Sequence, residues 1–412
     1  MTTPNEAIDD LQSSPRISAA SLRASLRYLN PQFLVPVGAV GDGVENDSAA
    51  VQSAIDEAAT KGIGRVVFPK GIYAIKGVHL KSGLTYSFDR GACLIAHSSS
   101  TIDGAMLDAN DESDIWIEGG IFDGNLGVVG GDPSNGNTLL QLLGASNVRV
   151  SGSIFRNNDY ASIIAAEGSN IRVEESEFYD TDCALLIAKE CDDVWAVGNR
   201  IVGGSSDGIA VWGTGSSGQS TNVHITGNTI RGKTGFGVIV RRCTGFDVSG
   251  NFIEDCDHAV NTSSGEAANG AYAEHGIIAR NVIGGIRNGY AIGGGLARHL
   301  TVSENIIRDG EECGIWGIDW SDFTVNANTV LNVNGDAITE SAGIRLTGAC
   351  SGGAVYDNRV VDNRVTSLHH KGIQIGAGCD DIRVHRNRVL GAAFDIVIET
   401  GATDIDTTGA QP

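Results

Sequence analysis

Asparagine recurs along this chain at near-constant intervals, and the interval limits what the chain can fold into. Asn199, Asn228, Asn251, Asn281, Asn305, Asn328, Asn358 and Asn387 are separated by 23–24 or 29–30 residues. Each opens a similar run: NRIV, NTIR, NFIE, NVIG, NIIR, NTVL, NRVV, NRVL. A short alternating strand precedes each asparagine, as in NVHITGN and IRVHRN. Another strand, such as GIAV, GVIV, GIRL or GIQI, lies midway between asparagines. Each unit therefore holds about three short strands of period-two alternation, separated by turns rich in Gly, Asn, Asp and Ser. A unit this small cannot bury its inward face alone, but stacked units can. The spacing predicts an all-β fold, a single-stranded parallel β-helix (a solenoid) with coils ~4.8 Å apart. The asparagines are predicted to take the left-handed turn of each coil and to hydrogen-bond amide to amide up the column.

The 56 glycines agree with many tight turns. A formal net charge of −21 argues against nonspecific binding to nucleic acid or to an anionic membrane. No apolar run approaches the ~20 residues of a membrane helix. The opening MTTPNEAIDDLQSSPR lacks a basic end followed by an apolar core, so no classical signal peptide is seen. Cys191, Cys243, Cys350 and Cys379 each lie eight residues before a terminal asparagine. Equivalent positions hold Gly168, Ser220, Ala273 and Ala297, with Trp320 the exception, which predicts a buried slot for free thiols. Cys350 and Cys379 fall on adjacent coils, where a disulfide is geometrically allowed.

Residues 1–35 read as a neck segment, with Leu22, Leu26 and Leu29 at helical spacing. Residues 36–412 read as the β-helix domain with its N-terminal capping helix. Asp47 can cap that helix, whose Val51, Ala54, Ile55 and Ala58 share one face and would cover the open end of the first coil. RVVFPKGIYAI is then the first strong strand pair. No obvious helix covers the far end, which points to burial there by another chain or domain.

GDGVENDSAAVQSAIDEA followed by FPKGIY resembles the opening motif of the pectate-lyase-like superfamily of right-handed parallel β-helices, which includes phage tailspike depolymerases. The leucine-bearing segment before it is similar to the neck of phage tail proteins. The resemblance implies a carbohydrate polymer as substrate along an outer face, an extracellular or virion-associated protein, and a homo-oligomer, often a trimer. It does not fix the chemistry. The polygalacturonase set N-T-D, D-D, G-H-G and R-I-K is represented only by SSDG at Ser205 to Gly208, and D-P-H-E of the epimerases is absent.

Aligning the middle strands gives a column at the start of each: Asp207, Phe236, His258, Tyr290, Cys313, Ala342, Lys371. One step earlier lie Ser206, Gly235, Asp257, Gly289, Glu312, Ser341 and His370. Asp207 and Asp257 are two coils apart, roughly 10 Å by coil spacing. An inverting glycosidase needs its carboxyls ~6.5–9.5 Å apart, so two side chains leaning together could serve. With Glu312 these are the candidates for hydrolysis, although aspartate in SSDG is equally at home as a turn residue. For β-elimination, Arg241 and Arg242 could neutralise a uronate while His258 or Tyr290 moves the proton. Noncatalytic glycan binding and uronate epimerisation are the alternatives. Trp212, Trp316 and Asp319 are candidates for sugar contact, since an outward indole offers a flat apolar face. Trp320 could do the same or fill the small slot, and Trp195 reads as packing. Long segments at 213–221 and 262–276, and later at NGDAITESAG and NRVTSLHHKG, would wall a groove. His369 and His370 lack an acidic triad, so no metal or other cofactor is expected.

Overall fold

The computed structural model describes residues 33–98, 104–127, 138–213, 218–262, 272–333, 342–364 and 371–407. Leu22, Leu26 and Leu29 of the neck lie outside them, as do His369 and His370. The described chain winds as a parallel β-helix. One coil runs through Ser220–Thr226, Thr229–Arg231 and Phe236–Arg241, and the next through Cys243–Ser249, Phe252–Glu254 and His258–Asn261. Each strand pairs in parallel with its counterpart one coil on. Strands of the first kind build one long sheet, and the other two kinds build a second.

Asn228 and Asn251 do become neighbours. The Asn228 side-chain amide donates to Asn251 Oδ1 at 3.0 Å, and the same bond recurs from Asn199 to Asn387 at 2.9–3.1 Å. The second amide hydrogen of each goes to a carbonyl of the preceding coil, such as Ala196 O for Asn228. The column is extended toward the N-terminus by Ser176 and Ser153. The expected backbone role is corrected. The left-handed residue is the one before each asparagine: Gly198, Gly227, Gly250, Arg280, Glu304, Ala327, Asp357 and Arg386 have φ between 52° and 66°. That bend aims the following side chain into the interior, where it can meet the next amide.

The helix Ser48–Lys61 buries Val51, Ala54, Ile55 and Ala58, as its spacing predicts. Val51 and Ile55 join Phe68, Leu80 and Tyr86 in the first-coil interior. Asp47 precedes the helix but its side chain does not cap it. Its carboxylate accepts from the Val40 and Gly41 amides at 2.6 and 3.1 Å, fastening the chain ahead of the helix instead. Arg65–Phe68 and Gly71–Ile75 form strands but do not pair with each other. The first joins Thr85–Phe88 in one sheet, and the second joins Asp42–Asn46 and Ala92–Ala96 in the other.

The interior is stacked by coil. Phe122, Phe155 and Phe178 lie face to face with centroids 4.7 and 5.0 Å apart. All eight cysteines are free and buried, so Cys350 and Cys379 are not joined. Trp320 fills the interior rather than meeting solvent. It is fully buried, its Nε1–H donates to Gly294 O at 2.9 Å, and its ring takes the space that a side chain at Gly317 would need. On Phe394–Ile398, the last strand of its sheet, Phe394 and Ile398 are exposed.

Candidate functional site

The middle strands keep the predicted register. Ile209, Val238, Val260, Ile292, Ile315, Ile344 and Ile373 point inward on successive coils. Alternation therefore turns Ala210, Ile239, Asn261, Gly293, Trp316, Arg345 and Gln374 to the outer face. The column at the strand starts lies against this row and is continuous in aromatic rings. Phe236 stacks on His258 (4.8 Å), His258 meets Tyr290 (4.6 Å), and Tyr290 meets Trp316 edge-on (5.6 Å).

Tyr290 lies across the face rather than standing out from it. Its ring covers Gly293, its hydroxyl is hydrogen-bonded by the Asn261 amide, and it is largely buried. A Cβ at Gly293 would fall 2.4 Å from Trp316 O and 2.9 Å from the Tyr290 ring. Gly293→Ala is therefore expected to displace Tyr290 and to cost about 1–3 kcal/mol by overpacking. Tyrosine fluorescence and a thermal melt would check this; an unchanged protein would mean the ring is not seated there.

Arg241 lies over Trp212 at 4.9 Å and Arg345 over Trp316 at 5.0 Å. The Trp316 indole N–H donates to Thr347 Oγ1 at 2.9 Å. Trp212 keeps 38% of its surface exposed, enough for one ligand contact.

Burial sets the protonation of this face. Asp207 is only 7% exposed, and that desolvation raises its pKa against the opposing pull of the Phe236 amide, Lys233 and Arg241. The Phe236 N–H donates to Asp207 Oδ1 at 2.9 Å. Lys233 is fully buried, its ammonium donating to Thr181 O and Asp182 O at 2.7 Å each, and burial lowers its pKa. Burial also lowers His258, against Asp257 and the Tyr290 backbone, so its ring favours the neutral form. Tyr290 is pushed up to about 12 by burial, against Asn261 and Arg241. Glu312 is raised by burial, against Arg345. Among the described residues, His258 Nδ1 and Arg241 Nε have no hydrogen-bond partner.

The structure thus gathers Asp207, Trp212, Arg241, His258, Tyr290 and Trp316 on one face, with Glu312 beside it. Asp257 lies at the turn, paired with Arg287 at 3.3 Å, and Arg287 also donates to Lys233 O. Arg242 takes a left-handed φ of 52° and is buried at the corner, away from the surface that Arg241 reaches. Asp319 also sits in a left-handed turn, where its carboxylate accepts the Ala349 amide at 2.7 Å. Trp195 stacks on His224, in the other sheet. Sequence reading passed over Asn261, Arg345 and Gln374, because it followed the strand starts and the inward row. The outward row one residue on from each inward isoleucine or valine would have shown them. Lys233 was missed because only folding reveals that its long stem crosses Gly204 to reach the carbonyls of residues 181 and 182.

Residues 70–219 and 216–409 match the family described as the right handed beta helix region. The chain belongs to that family. A stretch of 103 residues is 36% identical to plasmin and fibronectin-binding protein A of Streptococcus pneumoniae, covering 21% of this chain and 14% of that protein's length. The solved structure of that surface protein and adhesin, PfbA, superposes with a TM-score of 0.58 at 17% identity over 91% of this chain and 99% of the other. The A-module of mannuronan C-5 epimerase AlgE4 from Azotobacter vinelandii gives 0.60 at 15% identity, over 90% and 99%. The family 28 exopolygalacturonase of Yersinia enterocolitica gives 0.61 at 16% identity, over 93% and 79%. At these identities the likeness establishes the β-helix and not the chemistry on it.

Proposed function

We propose that this β-helix binds a polysaccharide along the outer face of its middle strands and cleaves a glycosidic bond there. The carrying observation is the assembly of Asp207, Arg241, His258, Tyr290, Trp212 and Trp316 on that one face. Asp207 is the lead acid. Burial favours its protonated form, and the Phe236 amide holds one carboxyl oxygen in place, so the group can deliver a proton to a leaving oxygen. Glu312, also raised, is the second carboxyl near the face. Asp257 stays a candidate base only if it leaves Arg287.

β-Elimination is the second reading, favoured by His258. A neutral imidazole with an unpartnered Nδ1, next to Tyr290 and near the Arg241 cation, suits proton abstraction beside a carboxylate. Product analysis over a glycan panel separates the readings. New reducing ends without ultraviolet absorbance mark hydrolysis, and an absorbing unsaturated product marks elimination. Binding without product would leave a glycan-binding adhesin, and neither binding nor product would overturn the proposal. Relatives named as an exopolygalacturonase, a mannuronan epimerase and a surface adhesin support a glycan partner and a place outside the cell. A homo-oligomer of three chains belongs to the same proposal and is read by sedimentation. Trp212→Ala is expected to weaken glycan binding on the order of tenfold, about 1.4 kcal/mol, while the melting temperature stays within a few degrees. Equal loss of both would make the indole packing only.

A further inference from the structure

At the C-terminal side of the same face a carboxylate of the protein itself occupies a site built for an anion. Glu399, just beyond the strand Phe394–Ile398, reaches back to the preceding coil. There it accepts a hydrogen bond from the Gln374 side-chain amide and one from the Ala377 backbone N–H at 3.2 Å, with the Lys371 ammonium 3.8 Å away. Gln374 belongs to the outward row, next to Arg345, and is only 2% exposed. Its Oε1 has no hydrogen-bond partner among the described residues. Glu399 remains over a third exposed, so the carboxylate that fills the site can be displaced. Although burial opposes it, Gln374, the Ala377 amide, Lys371 and Arg345 together hold Glu399 below the usual carboxylate range. On a chain of net charge −21, this concentration of donors and cations facing outward needs a reason.

We infer that Lys371, Gln374, Arg345 and the Ala377 amide form a subsite for the carboxylate of an acidic sugar, and that Glu399 occupies it in the free protein. The inference rests on the proposed glycan-binding face, which it extends toward the C-terminus past Trp316. A planar two-oxygen acceptor is what this donor set already holds, and the Trp316 indole, one coil from Arg345 and two from Gln374, offers a neighbouring sugar ring an apolar contact. Glu399 acts as a tethered competitor, so removing its charge weakens its hold on the donors and on Lys371 without altering them.

The test is calorimetric titration of the full chain with an oligogalacturonate and with a neutral oligosaccharide of equal length. Glu399→Gln is expected to tighten oligogalacturonate binding on the order of tenfold, leaving the neutral ligand unchanged. Lys371→Met with Glu399 intact is expected to weaken oligogalacturonate binding several-fold, and serves if the first variant loosens the last coil. Unchanged affinity in Glu399→Gln, or an equal gain for the neutral ligand, would overturn the inference. So would no oligogalacturonate binding by either protein, even where a neutral glycan is cleaved, a result that leaves the proposed function standing. Binding that responds to Glu399 without any cleavage would sink the enzyme reading alone.

Discussion

Asn251→Ala is expected to lower folding stability by about 3–5 kcal/mol, because several buried polar groups lose their partners at once and each such loss costs ~1–3 kcal/mol. Asn251 Oδ1 accepts from both the backbone and the side-chain N–H of Asn228. Its own amide donates to Ile225 O and to Asn281 Oδ1. Alanine leaves both Asn228 donors, the Ile225 carbonyl and part of Asn281 unsatisfied, in a column closed to water. The fall exceeds that from deleting a surface asparagine, and it should be local at first. In a solenoid each coil contacts mainly its neighbours, so the coils near residue 251 should open before the cap. Urea unfolding gives the magnitude, and amide exchange around residues 225–281 gives the place. A loss below ~1 kcal/mol, the scale of one ordinary hydrogen bond, would mean that the ladder is decoration on a structure held by its apolar interior.

The ladder was legible in the sequence because each rung repeats one residue type at one interval. The middle-strand register was legible for the same reason: a valine or isoleucine marks the inward position in nearly every coil. What repetition cannot show is a residue that differs from its column. Lys233 stands in line with small or apolar neighbours and owes its role to the carbonyls that its stem reaches. Arg241 and Arg242 are adjacent in sequence, yet a left-handed turn at the second leaves one on the outer face and the other buried at the corner. Asp207 and Asp257 looked equivalent as turn carboxylates. One is desolvated against a backbone amide, and the other is neutralised by Arg287, which is distant in sequence from the first. The chemistry of the face is set by these departures, and so it was less visible than the scaffold that carries them.

Asp207→Asn is expected to reduce cleavage by roughly 10²–10⁴-fold, the usual contribution of a positioned proton donor. Asparagine has the same shape, and its carbonyl oxygen can keep the bond from the Phe236 amide, so the fold has no steric reason to change. The proton is what disappears. The pH dependence carries the sign. Burial raises the folded-state pKa of Asp207, so its neutral form is the one the fold prefers. Its contribution to stability is fully present below the ordinary carboxylate range and is lost as pH rises through the folded value. Asparagine is neutral throughout, so at neutral pH the variant should be at least as stable as the parent while being nearly inactive. In the parent, activity should fall as pH climbs through the raised value, and the residual activity of the variant should lack that limb. Stability and activity thus move apart, which a merely structural carboxylate would not produce. A variant that retains full activity, or that loses stability in step with activity, would place Asp207 in the turn and leave the proton donor to Glu312 or His258.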